Sequence, residues 1–419
     1  MGRAAGCRIL AVMGSGETSP TMVTVHRLLA ARLAAGAATA VLLDTPYAFQ
    51  ENVADVSGRA RAYFARSVGL DVTVTGGAAT GCDPAAVRAA DWLFSGPGSP
   101  SYALQRWRQD GTAQALRDRV AGGAGVTVMA SAAAATIGCA ALPVYEIYKA
   151  GAGPYWLEGL DLVAACGLRV AVIPHYDNAE GGTHDTRYCY LGERRLAILE
   201  RQLPDGAAVL GIDEHTALVI DLDRESAEVA GRGGLTVRRA GHSTVLPHGT
   251  LIPLTELQSL TRHGPAGTPV PAGPRVQTAH ARPAEPVSGS PAPLTEITTA
   301  AAERFDAAAA GRDIPAMVAA ILDLEEAVSE WAADTEEDQG TTQSRAVLRG
   351  LISRLGDIAA ADDPGERLAA AAGPLLALRS DLRRQGRYPA ADTIRDALTA
   401  AGLQIQDTAD GTRWTSPRR

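Results

Sequence analysis

The chain is short of lysine, of aromatic residues and of paired cysteines, and each shortage excludes something. Lys149 is its only lysine, and with a formal net charge of -8 over 419 residues it lacks the basic excess of a protein that coats nucleic acid. The five cysteines (Cys7, Cys82, Cys139, Cys166 and Cys189) are scattered without a Cys-x-x-Cys pair, so neither a disulfide framework nor a zinc site is expected. No run approaches the roughly 18 uninterrupted apolar residues of a membrane span, and no basic segment with an apolar signal core opens the sequence. The expectation is a cytoplasmic protein with no membrane partner, no cofactor and no metal.

What is present is an ordinary globular composition, 46% hydrophobic and 21% charged, long enough for two or three domains with real cores. Short apolar runs alternate with helix-spaced segments. Arg8 to Met13, Ala40 to Leu43, Val72 to Thr75, Trp92 to Phe94, Val126 to Met129 and Leu168 to Ile173 read as strands, with helices from Thr21 to Ala35, from Asn52 to Val68 and from Tyr102 onward. Repeated βα units of this length predict an α/β domain with a parallel sheet and helices on both faces, over residues 1–261. Loops at the strand C-termini of such a sheet converge, which would gather Gly14 to Ser19, Gly96 to Ser99, Ser131 and His175 at one edge. Val209 to Asp213 and Ala217 to Asp221 read as two further strands, and Asp223 to Leu246 as an antiparallel hairpin turning at Gly231 to Gly234. Residues 262–293 are rich in Pro, Ala, Gly and Ser and read as a disordered linker. Helical signals then run to the end, over Leu294–Ala310, Ile314–Ala332, Thr341–Ile358, Glu366–Gln385 and Pro389–Ala401, giving a third segment, 294–419.

The stretch Val126 to Gly138 organises the first domain. A β-branched run stops at Ala130-Ser131 and passes into alanines of high helix propensity, placing Ser131 at a strand-to-helix turn. A nucleophilic serine sits at such an elbow; the bland alternative is an N-cap serine of a buried helix. A catalytic serine needs a base, a group that orients the base, and donors for the oxyanion. His175, at the end of a predicted strand, is the candidate base. Glu146, in the apolar stretch Leu142 to Ile147, and Glu214, in Gly211 to Ala217, are rival orienting carboxylates. Gly98, or Gly96, and the amide of Ala132 are the candidate oxyanion donors.

Phe94-Ser95-Gly96-Pro97-Gly98-Ser99, Ala130-Ser131-Ala132, Pro174-His175-Tyr176-Asp177-Asn178 followed by Arg194-Arg195-Leu196, and Gly211-Ile212-Asp213-Glu214-His215-Thr216-Ala217 come in the order in which similar motifs stand in cyanophycinase and α-aspartyl dipeptidase. These are serine peptidases of the class I glutamine amidotransferase-like fold, and the resemblance covers about residues 8–255. It implies Ser131 as nucleophile, His175 as base, a glutamate as orienter, and hydrolysis of a peptide or isopeptide bond next to an acidic residue. The position of Glu146 after Ser131 looks like that of the dipeptidase acid. Gly16, Glu17, Asn178 and Arg194 are the candidate substrate contacts. The chain departs from the family elbow, Gly-x-Ser-Ala-Gly, by placing Met129 and Ala133 at the glycine positions, and Pro97 removes a possible donor from the preceding turn.

A second resemblance lies in the helical region. Arg379, Arg383-Arg384, Tyr388 to Leu398, Ala401-Gly402-Leu403, Gln406-Asp407-Thr408 and Gly411 to Trp414 are similar to the end of cysteinyl-tRNA synthetase, and Phe305-Asp306 with Asp313 to Met317 look like the start of the same region. No HIGH or KMSKS-type motif accompanies them, so aminoacylation is not implied. The resemblance implies contact with tRNA, for which Arg383, Arg384, Arg395, Arg413 and Trp414 are the candidates; Arg and aromatic side chains together suit RNA loops. The alternative is a module for packing or homodimerisation. The sequence thus predicts a serine hydrolase of peptidase or amidase type with Ser-His-Glu catalysis, acting on a small peptide or aminoacyl conjugate and carrying a tRNA-synthetase-derived module. The other reading is a non-catalytic protein that binds tRNA or a protein partner; a Ser131 to His175 separation far beyond about 4 Å would favour it.

Overall fold

The computed structural model describes residues 7–33, 38–77, 81–179, 184–263, 292–332, 340–361, 364–400, 403–408 and 411–415. The chain divides into two compact units, Met1–Leu294 with Ala327–Thr341, and Thr295–Glu326 with Thr342–Arg419.

The strands of the first unit are β1 (Arg8–Met13), β2 (Ala40–Leu43), β3 (Val72–Thr75), β4 (Trp92–Ser95), β5 (Gly125–Ala130), β6 (Ala140–Ala141), β7 (Leu157–Glu158), β8 (Val170–Ile173), β9 (Ala208–Ile212), β10 (Thr216–Asp221), β11 (Ser226–Gly231), β12 (Gly234–Arg239), β13 (His242–Pro247) and β14 (Leu251–Pro253). They form a mixed α/β unit with two sheets where the sequence pattern suggests one. The larger is ordered β14-β11-β10-β1-β5-β4-β2-β3 and the smaller β13-β12-β9-β8-β6-β7. β1, β5, β4, β2 and β3 are parallel, as βα alternation requires, but β10 enters antiparallel beside β1 and shuts β8 out of that sheet. β8 instead pairs in parallel with β6 and β9, so His175 and Ser131 leave different sheets.

The expected hairpin over Asp223 to Leu246 is absent for the same reason. β11 pairs with β10 and β14 in the large sheet, whereas β12 pairs with β9 and β13 in the small one. Between β9 and β12 the chain therefore crosses between the sheets twice, at Asp213–His215 and again at Arg232–Gly233, and these two crossings are bonded side by side. The Arg232 amide donates to the His215 carbonyl (2.9 Å), that of Gly233 to Thr216 Oγ1 (2.8 Å) and that of Gly234 to Asp213 Oδ2 (2.8 Å).

Strand alternation sorts the core into layers. Leu10, Val12, Met129, Leu218 and Ile220 of the large sheet bury with Val170, Val172, Leu210, Ile212, Leu235 and Val237 of the small one. On the opposite face of the large sheet Val126, Val128 and Ala130 pack with Trp92, Phe94 and residues of the helices Val23–Ala30 and Val53–Tyr63. Ile173 and Val209 turn the other face of the small sheet onto Leu196 and Leu199 of the helix Gly192–Arg201.

The helix Leu254–His263 runs through Arg262 and His263, the first two residues of the stretch read as a linker; 264–291 lie outside the described residues. Further along the chain, helices occupy Leu294–Ala310, Ile314–Trp331, Thr341–Ala361, Pro364–Arg384 and Tyr388–Ala400, then strands Gln404–Thr408 and Gly411–Thr415 pair antiparallel. Thr298 and Ser344 hydroxyls meet at 2.8 Å, Arg354 bonds Asp306 at 2.6 Å, and Arg379, whose side chain is buried, grips both oxygens of Asp407 (2.7 and 2.8 Å). Among the described residues no helix is long and apolar enough to cross a membrane.

Arg119 is a charged group buried within the first unit. At 2% exposure its guanidinium donates to Thr127 Oγ1 and to the carbonyls of Val126, Ala90 and Val87, joining β5 to the C-terminal end of the helix Pro84–Ala89. Arg119→Leu would orphan these acceptors, so it should lower unfolding free energy by about 3 kcal/mol. Urea denaturation at an unchanged m-value would measure this; a loss under about 0.5 kcal/mol would show that the bonds are readily replaced.

Candidate functional site

Ser131 ends the central strand of the large sheet in a left-handed turn, φ 46°, a conformation a non-glycine residue adopts at a cost of order 1–3 kcal/mol. The helix it opens is a single turn, Ser131–Ala134, shorter than the alanine run suggests, because Thr136 bonds back to the Ala133 carbonyl (2.6 Å) and the chain turns toward β6. A turn this short has little macrodipole, so any help for an anion comes from individual amides. Met129 and Ala133, which stand where the elbow motif has glycine, are fully buried. Both lie in the buried layer between the sheets, the side of the strand away from Ala130.

His175 follows β8 in a left-handed conformation, φ 48°, and its Nε2 lies 3.0 Å from Ser131 Oγ. Its Nδ1 is 3.0 Å from Glu214 Oε1. This assigns the tautomer: Nδ1–H donates to the carboxylate and Nε2 accepts from the serine hydroxyl. Glu214 lies on the first crossing between the sheets, where its amide donates to Asp177 Oδ1 (2.7 Å) and its Oε1 also accepts from Asn178 Nδ2 (3.1 Å). Burial, the largest single influence, pushes its carboxyl up, but the hydrogen bonds from His175 and Asn178 and the nearby histidine charges outweigh it. The pKa is held below the ordinary glutamate value.

Several sequence expectations are redistributed by this geometry. Glu146 is the carboxylate the fold sends elsewhere: it accepts from Ser101 Oγ, on the helix Pro100–Gln109, while His175 Nδ1–H donates to Glu214. Asn178, a candidate substrate contact, is fully buried and holds Glu214 instead. Gly16 serves packing: a Cβ there would collide with the His215 ring, whose Nδ1 is 2.9 Å from Thr21 Oγ1. Glu17 is buried, its carbonyl accepting from His26 Nε2 (2.7 Å) and its carboxylate beside Gly96. Arg194 is exposed on the helix Gly192–Arg201.

Gly98 and Ala132 leave the neighbouring ends of β4 and β5, where Ser95 pairs with Met129, and the Ala133 amide donates to the Gly96 carbonyl (3.1 Å). Gly98 has φ 127°, and a Cβ there would strike the Pro46 carbonyl, so only glycine fits this turn. Asp44, which closes β2 at the same edge and had no part in the sequence reading of the site, is buried; desolvation pushes its carboxyl up to about 6. Among the described residues no cluster of three or more His, Cys, Asp or Glu could hold a metal ion.

In the second unit, Arg384 and Arg395 are exposed, and Arg383 lies near the exposed Tyr388 ring. Trp414 pairs across the hairpin with Ile405 and, half-buried, packs against the cluster of Leu376, Leu398 and Leu403. The side chain of Arg413 lies outside the described residues.

No family model matches the chain. Segments of it are similar to cysteine–tRNA ligases. With that of Thermosipho melanesiensis it shares 28% identity over 104 residues, 24% of this chain and 22% of the relative. With that of Halobacterium salinarum it shares 32% over 151 residues, 33% and 31% of the two. The chain spans less than a third of the length of these curated relatives. A solved peptidase structure from an acI-B1 actinobacterium overlays on 60% of this chain and 98% of its own, with a TM-score of 0.47 and 18% identity.

The lowered Glu214 pKa has a consequence for stability. A carboxyl whose folded pKa lies below its unfolded value contributes stability above the unfolded pKa, about 4.3, and loses it as pH falls through the folded one. Glu214→Gln should therefore show a shallower loss of stability than the parent between about pH 5 and pH 3. Parallel slopes in urea titrations across that range would mean that Glu214 carries no such linkage.

Proposed function

We propose that the first unit is a serine hydrolase of peptidase or amidase type, with Ser131 as nucleophile, His175 as general base and Glu214 as the group that orients it. The observation that carries this reading is the continuous relay Ser131 Oγ, His175 Nε2, His175 Nδ1, Glu214 Oε1, with both separations 3.0 Å. Each part answers a need of acyl transfer. The serine hydroxyl is a weak nucleophile until its proton passes to Nε2 as oxygen attacks the carbonyl carbon. The imidazolium formed is stabilised by Glu214, which is ionised at neutral pH because its pKa lies low. The amides of Ala132 and Gly98 take the developing oxyanion, His175 returns the proton to the leaving atom, and water repeats the sequence on the acyl-enzyme.

The substrate class in this reading is a peptide, isopeptide or aminoacyl conjugate, with an aspartyl or cysteinyl acyl group as the sharper form. The second unit would contact tRNA through Arg383, Arg384 and Arg395. That part rests on the similarity of chain segments to cysteine–tRNA ligases and on the exposed arginines at this end of the helices.

Ser131→Ala should abolish both turnover of aspartyl dipeptides or cysteinyl-tRNA and labelling by a fluorophosphonate; unchanged activity would refute the assignment. Glu214→Gln should lower kcat by about 10²- to 10⁴-fold, whereas Glu146→Gln should cost less than about tenfold. The reverse order would move the orienting role to Glu146. Charge reversal at Arg384 and Arg395 together should weaken tRNA binding about tenfold or more in a mobility-shift titration at fixed salt. Equal binding would leave the second unit a packing module.

A further inference from the structure

We propose that Tyr148 and Tyr190 form a subsite for a planar aromatic ring on the leaving-group side of the scissile bond. The inference rests on the assignment of Ser131 and His175 above and deepens it to a substrate class.

Three observations carry it. First, the rings run outward from the base: Tyr190 lies 6.3 Å from the His175 ring, Tyr148 stacks on Tyr190 at 5.0 Å and 30°, and His184 lies nearly parallel to Tyr148 at 6.5 Å and 17°. Tyr148 and Tyr190 are half-buried, resting on the cluster of Leu142, Ile147 and Leu191 that fixes their position.

Second, the backbone that carries Tyr190 is strained. Tyr188, Cys189 and Tyr190 are consecutive left-handed residues, φ 63°, 56° and 63°, none of them glycine, at a cost of order 1–2 kcal/mol each. The bend is held by the Cys189 amide on the His175 carbonyl (3.0 Å), the Tyr188 amide on the Tyr176 carbonyl (2.9 Å) and the Tyr190 amide on the Thr186 carbonyl (2.8 Å). Packing alone accounts for Tyr188, whose ring meets Tyr176 at 4.5 Å, and for Cys189, which is buried. The same turn sets Tyr190, itself packed on the Leu142, Ile147 and Leu191 cluster and stacked on Tyr148, beside His175.

Third, the chemistry fixes the side. The imidazole that takes the serine proton must deliver it to the leaving atom, so side chains flanking His175 border the leaving group rather than the acyl group. A leaving group bearing a planar ring would extend the stack, gaining the face and edge complementarity that an aliphatic group of equal area lacks. Such a ring is found both in an aromatic amino acid and in a nucleobase of an aminoacyl nucleotide.

The test uses the full chain and the rate at which a fluorophosphonate labels Ser131, with free leaving-group analogues as protectants. Phenylalaninamide is compared with cyclohexylalaninamide, and adenosine with ribose. The proposal expects at least one aromatic member to protect at tenfold or lower concentration than its non-aromatic partner. That ratio should collapse toward one in Tyr148→Leu and in Tyr190→Leu and persist in Tyr148→Phe and Tyr190→Phe. Protection by phenylalaninamide alone assigns the ring to a peptide leaving residue, and by adenosine alone to a nucleobase. Labelling of Ser131 with equal protection by both members of each pair, or a ratio that survives both leucine variants, would overturn the subsite while leaving the hydrolase intact. Failure of Ser131 to label in the parent would overturn both.

Discussion

The site depends on one constraint: two sheets must be held in register where the chain crosses between them. Ser131 belongs to the large sheet, His175 to the small one, and Glu214 to the crossing itself. Had the two crossings been free loops, the histidine would have no fixed height above the serine. They are instead bonded to each other through Asp213, His215 and Thr216, and the neighbouring Gly14 fits only because it has no side chain to meet the Asp213 carbonyl. The layer of Val172, Leu210 and Ile212 against Val12 and Met129 supplies the rest of the rigidity, since a close-packed interior transmits position with little slack.

The same constraint explains the concentration of left-handed residues. Ser131, His175 and His215 each adopt a positive φ where the chain leaves a strand toward the site. Each is held by surrounding bonds: His175 by the amide of Cys189, His215 by the amide of Arg232 and its own amide on the Ser15 carbonyl (3.2 Å). Strain that is over-determined in this way keeps side chains in orientations that relaxed turns would lose. Glu214 is fixed from three directions, by His175, Asn178 and Asp177, so its carboxylate presents one oxygen to the imidazole without rearrangement.

Much of this was legible in the residues, and the limits are physical. Strands such as Arg8 to Met13 and Val72 to Thr75, and the helices of the second unit, are local patterns that match the structure closely. Ser131 was visible because a β-branched run and an alanine run meet there. Sheet partition was not visible: βα alternation looks the same whether the next strand joins the first sheet or starts another, and the pairing of β10 beside β1 is a long-range choice. For the same reason Gly231 to Gly234 reads as a hairpin turn although it is a crossing. Choosing between Glu146 and Glu214 needed the same long-range information, because each follows an apolar segment and only the crossing puts Glu214 beside Nδ1. The role of Asn178 follows from that choice, and the packing of Trp414, whose strand partner Ile405 lies against the same cluster, needed long-range information of the same kind.

The most direct measurement is the pH dependence of phosphonate addition, with the modified residue located by peptide mass spectrometry. A single adduct on Ser131 is expected, with a rate that rises as the imidazole of His175 loses its proton and then levels off, and a marked loss of that rate in His175→Ala. An adduct on another residue, or a rate on Ser131 that shows no such titration and survives His175→Ala, would contradict the roles assigned to Ser131 and His175.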